Sequence, residues 1–210
     1  EGSRPLLIEI VQRAEFLPQV PAIGLCAVVA VADDANLICH VPELDVLIVL
    51  IVLGQMLDRG FDLSKIRGCY EQAAYHIPGT SEIVPTVRFY IDAQKTRWWE
   101  RLIGKTKKDG QKANFGGKRT AEGFVYKGEG WMHPDQTIEA GDRVFLVEGV
   151  FHAIAFYHAG IKAVAGFSSG NVPEKIIRAC PEARWVVALD RDTMKGGKLR
   201  AYAGKVNALT

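Results

Sequence analysis

At 210 residues, with 48% hydrophobic and 24% charged side chains, the chain has room for one large domain or two small ones and is too apolar for disorder on a large scale. A net charge of +2 gives no overall bias towards an acidic partner, so a nucleic-acid partner has to be read from local clusters. Cys26, Cys39, Cys69 and Cys180 form no CxxC pair, which excludes a zinc ribbon; with no secretory signal visible, the thiols are read as reduced and the chain as cytoplasmic.

Residues 5–78 read as a mainly helical amino-terminal region. "LLIEIVQRAEFL" and "DLSKIRGCYEQAAYHI" carry apolar residues at helical spacing, the second with Asp62 or Ser64 as an N-cap. "VPELDVLIVLIVLGQMLDRG" fits a buried strand or a helix, with Gly60 as a helix stop. Its uninterrupted apolar run before Gly54 is far shorter than the roughly 20 residues needed to cross a bilayer. "IPGTSEIVP" has the composition of a linker.

Residues 86–131 form the next expected unit, small, β-rich and basic. "TVRFYID", "RWWERLIG" and "GFVYKG" are short aromatic and β-branched runs between Gly, Lys and Asp turns. Trp98 and Trp99 alternate, so at most one faces a core.

Residues 141–210 form the third unit. "DRVFLVEG", "IKAVAGF" and "RWVVALD" are apolar, unalternated strands. Between them lie two helices: "VFHAIAFYHAG", ending on Gly160, and "SSGNVPEKIIRACP", with Asn171 as N-cap and Pro181 as stop. This order predicts a parallel, doubly wound α/β sheet, whose ligands bind beyond the carboxyl ends of the strands. Glu148 stands at the end of the first strand; Asp190 and Asp192 stand at the end of the third. Crowded carboxylates repel, and a divalent cation resolves the repulsion; oxygen-only ligands favour Mg²⁺ or Mn²⁺. The chemistry this suggests is phosphoryl or nucleotidyl transfer. A DxD on a loop is otherwise a solvated turn or a helix cap.

The segment "FLVEGVFHAIAFYHAGIKAVAGFSSGNVPEKIIRACPEARWVVALDRD" resembles the Toprim domain of primases and of type IA and type II topoisomerases. The resemblance implies a metal-associated general acid/base role for Glu148 and metal binding by Asp190 and Asp192. "GFSSGN", Gly166 to Asn171, falls where primases carry a glycine-containing loop near the site. "TVRFYIDAQ" and the basic "GQKANFGGK" are similar to stretches of primases from phages, plasmids and integrative elements. Primer synthesis on single-stranded DNA from ribonucleoside triphosphates is the implied activity, with a helicase as a further partner. No P-loop occurs in the chain itself. Only 18 residues follow Asp192, so the Toprim domain is expected to be cut short at its carboxyl end.

Rival readings remain. "VVALDRDT" also satisfies the signature of haloacid-dehalogenase-type phosphatases, but that family needs a later Lys and a later acidic pair, which do not fit in the remaining chain. A Toprim nuclease would use the same three acids against a phosphodiester. A non-catalytic DNA-binding or assembly module would use none of them. No tyrosine-bearing cleavage domain supports a topoisomerase.

From Lys95 to Arg119 there are nine Lys or Arg and two acids, Glu100 and Asp109. Lys105, Lys107, Lys108, Lys112, Lys118 and Arg119 are the candidate nucleic-acid contacts, the last three of highest interest. Lysines meet phosphates by charge, and aromatic faces stack on bases. The plainer reading is a solvated hairpin tip. His158 falls on the apolar face of its helix as a packed core histidine, and His152 lies nearer the helix start.

Overall fold

The computed structural model describes residues 43–190 and 197–210, with backbone alone for 43–50. The expected helix in "LLIEIVQRAEFL", Cys26, Cys39 and Asp192 lie outside the described residues. The fold is mixed α/β, with a four-stranded antiparallel sheet and a separate three-stranded parallel sheet.

The ambiguous apolar run is a helix, α1, Glu43–Asp58. Sixteen residues, interrupted only by the isolated Gly54, exceed the length of an ordinary strand, and length decides here over β-branching. It ends as expected at Gly60, whose left-handed backbone (φ 74°) lets its N–H donate to the Leu57 carbonyl at 2.8 Å. No described helix is long and apolar enough to cross a membrane.

The helix expected through "DLSKIRGCYEQAAYHI" does not form. Asp62 Oδ1 accepts from the Ser64 backbone N–H (3.0 Å) and hydroxyl (2.6 Å), closing a local turn rather than capping a helix. Gly68 is left-handed, and Glu71–His76 becomes strand β1. Gln and Ala favour helix, but cross-strand pairing overrides that weak preference. The expected linker is the β1–β2 hairpin: the Ile77 N–H donates to Glu82 O (3.0 Å), and β2 spans Ile83–Tyr90. Pro85 therefore sits inside β2, where its carbonyl still accepts from the Ile103 N–H at 2.9 Å.

β3 (Arg97–Leu102) and β4 (Ala113–Gly117) complete a meander in the order β1-β2-β3-β4. "GFVYKG" forms no strand; its Tyr126 stacks on Phe115 at 4.0 Å, part of a strap that leads to Trp131, which bridges to Ala165. Trp99 faces the core, whereas Trp98 lies beneath the Arg88 guanidinium on the other face.

The carboxyl-terminal elements follow the expected order through β5 (Arg143–Val147), α2 (Val150–His158), β6 (Ala163–Ala165), α3 (Glu174–Ala179) and β7 (Arg184–Ala188); a helix not expected from the sequence, α4 (Lys198–Asn207), comes after them. The sheet order is β6-β5-β7, all parallel. Val144, Leu146 and Val164 pack with Ile177 of α3 and with Tyr202 and Val206 of α4. Val147, Ala163 and Ala165 pack instead with Val150, Ala153 and Ile154 of α2. That second cluster also contains Met56, Val87, Phe89 and Trp99, so α1, the antiparallel sheet and α2 share one core.

Candidate active site

Val147 of β5 is paired with Ala188 of β7. Glu148 and Asp190, one and two residues further on, therefore stand on the same carboxyl-end rim, on hydrogen-bonded neighbours. Glu148 is half-buried and Asp190 exposed. The amino end of α2 begins two residues after Glu148 and opens on this rim, an arrangement that favours anions. His152, in its first turn, is exposed, and its Nδ1 lies beside Gly149, 3.8 Å from where a Cβ there would stand. Among the described residues no three His, Cys, Asp or Glu side chains gather as a metal-ligand set, and Asp192 lies outside them. Glu148 and Asp190 are hard oxygen donors, the chemistry that suits Mg²⁺ or Mn²⁺.

The loop following β6 is fastened to this rim. The Gly166 N–H donates to Val147 O at 2.9 Å, and a Cβ on Gly166 would stand 2.6 Å from Asn171 O. Asn171 does not cap α3, since the N-cap is Pro173, which makes no side-chain cap bond. Instead its amide accepts from the Gly128 N–H (2.9 Å) and donates to Glu129 O (2.9 Å) and Gly166 O (2.8 Å). Its own carbonyl accepts from the buried Tyr202 hydroxyl at 3.1 Å, tying in α4. Within the loop, Phe167 holds φ at 67°, a conformation that costs a non-glycine residue roughly 1–3 kcal/mol and that clusters at functional sites.

An ion network that the sequence did not single out lies next to this loop. Buried Glu129 accepts from Arg97 and from Lys175 Nζ (2.5 Å), and Arg97 also donates to Asp92 at 3.0 Å. Burial alone would raise the Asp92 carboxyl, but hydrogen bonds from Thr96 and Arg97 hold it below its ordinary value. Arg97 and Lys175 line a groove of about 350 Å³ with Lys118 and Arg119. Apart from the local Asp92–Arg97 pair, no spacing signals this network, because its other members come from the 118–131 strap and α3.

The basic stretch is divided. Lys105, Lys107, Lys108 and Lys112 belong to the β3–β4 hairpin, where Lys105 pairs with Glu82 and Lys107 with Asp109 (3.7 Å). Lys118 and Arg119 follow β4 at the opposite end of the sheet, with the Lys118 N–H donating to Thr96 O at 3.0 Å. Five residues of β4 separate the two groups by about 17 Å.

His133 and Cys69, given no role from sequence, form a buried pair. The Asp135 N–H donates to His133 Nδ1 (3.2 Å), which puts the ring proton on Nε2, facing Lys65 O (2.9 Å) and Cys69 Sγ (3.1 Å). Burial pushes the Cys69 thiol up to about 11. A protonated Nε2 cannot take the thiol proton, so the pair holds structure rather than a nucleophile. His158 packs edge-on against Phe61 at 5.6 Å, and burial lowers its pKa, as a core histidine's would be.

No family model matches the chain. Neither curated proteins nor solved structures include a match.

Proposed function

We propose that the chain is the catalytic core of a Toprim-type primase, joining ribonucleotides into short primers on a single-stranded DNA template. The observation that carries this reading is the meeting of Glu148 and Asp190 on one rim, at the carboxyl ends of adjacent parallel strands. The strand order β6-β5-β7, with apolar clusters on both faces of the sheet, supports a doubly wound Toprim-type arrangement.

In this reading Glu148, Asp190 and Asp192 hold Mg²⁺ or Mn²⁺, which when bound supplies neutralising charge at the reacting phosphates. Lys118 and Arg119, beside Arg97 and Lys175, draw the template or triphosphate phosphates towards the rim. Asn171 keeps the 166–171 loop in one conformation, so that the rim is preorganised before substrate arrives. A cytoplasmic location and a helicase partner accompany this reading.

Incubation with single-stranded DNA, Mn²⁺ and labelled ribonucleoside triphosphates tests it. Labelled oligomers are expected, and Glu148→Gln or Asp190→Asn should reduce them at least about a hundredfold while leaving the melting transition in place. Shortened DNA in place of labelled oligomers would replace the primase reading with that of a Toprim nuclease.

A further inference from the structure

A cavity of about 550 Å³ opens between the end of α1, β2 and the β3–β4 hairpin. Arg59, Arg101, Lys105 and Lys112 all line it. Its one acid, Glu82, is engaged by Lys105. Among the described residues neither Arg59 nor Arg101 has a carboxylate partner. The Arg59 guanidinium lies 4.6 Å above the Phe151 ring, which forms part of the wall. Arg101 is half-buried and stands in register with Val87 and Ala113, on the sheet face that looks towards α1 and α2. Burial and the charge of Arg59 both push Arg101 below its ordinary pKa.

Two cations turned into one partly enclosed space repel each other, and the half-buried Arg101 is partly desolvated as well. The arrangement becomes favourable once an anion enters. A guanidinium presents a planar fork of donors that matches the oxygens of a phosphate, and the apolar walls strengthen such contacts by lowering the local dielectric.

We propose that this cavity is a phosphate-binding site. Arg59 and Arg101, with Lys112 beside them, hold the oxyanions of a nucleic-acid backbone or of a free polyphosphate. The site shares no residue with the rim of Glu148 and Asp190 and needs no metal, so it stands or falls apart from the primase reading.

Binding is measured in EDTA, which removes any contribution from a divalent ion at the rim. The probes are a labelled oligothymidylate of about 12 nucleotides, read by fluorescence anisotropy, and inorganic tripolyphosphate, read by calorimetry. At least one should bind, and Arg101→Gln and Arg59→Gln should each weaken it roughly tenfold or more. Lys205→Gln, the same change of charge at an exposed position of α4, should alter it less than about twofold. Tighter binding of the oligomer than of tripolyphosphate identifies backbone phosphates as the ligand; tighter binding of tripolyphosphate identifies free polyphosphate. Arg59 is exposed, so its variant keeps the test valid if Arg101→Gln fails to fold. Absence of binding by both probes overturns the proposal, as does an equal loss in Lys205→Gln.

Discussion

Asn171 holds the rim loop from three directions, and each of its partners is a backbone group with no other evident use. Replacing it with Ala removes three side-chain hydrogen bonds and strands buried N–H and carbonyl groups. Asn171→Ala should therefore lower stability by about 3 kcal/mol, read from urea denaturation. Asp92 gives a pH-dependent counterpart. Its carboxyl sits below its ordinary value of 3.8, so its contribution is present above that value and is lost as pH falls through the lower, folded-state value. Stability should decline below about pH 4, and Asp92→Asn should flatten that decline. For Cys69, with its thiol pushed up to about 11, peptide mapping after iodoacetamide treatment at pH 8 should find it unmodified in the folded protein and modified in urea. At this scale the sequence was partly informative. The strand-end positions of Glu148 and Asp190 are legible because each closes an apolar run. Asn171 reads as a cap, since Asn before Pro and a helix has that local pattern, and only the neighbouring strap shows what it binds.

Among the elements, β5, α2, β6, α3 and β7 were legible because apolar runs, Gly160 and Pro181 punctuate them. β1 was not. "EQAAYH" is made of helix-tolerant residues, and its strand conformation comes from pairing with β2 at each position from Glu71 to His76. The β1–β2 turn was hidden for a related reason, since Pro and Gly mark linkers and tight turns alike. The two sheets communicate through aromatic packing. Phe89 of β2 meets Trp99, Trp131 and Phe151 at ring-centroid distances of 5.9, 5.4 and 5.9 Å, so one ring touches β3, the strap and α2. Phe89→Ala should cost about 3–5 kcal/mol. Because its partners join the antiparallel sheet to the strap and to α2, which pack on the parallel sheet, fluorescence and circular dichroism should report the loss as one cooperative transition.

At the scale of the whole molecule, the antiparallel sheet places its two basic groups at opposite ends, one beside the cavity of Arg59 and Arg101, the other beside the groove of Arg97 and Lys175. The linear sequence shows a single run of charge, because nothing in it records that β4 intervenes. The parallel sheet places its acids on the rim between α2 and the 166–171 loop. Cation binding by that rim is the central claim, and titration calorimetry with Mn²⁺ tests it most directly. The unmodified chain should bind Mn²⁺, and Asp190→Asn with Asp192→Asn should abolish that binding while the melting temperature stays within a few degrees. Mn²⁺ binding of equal strength in the doubly substituted chain, or none in the unmodified one, would contradict the account.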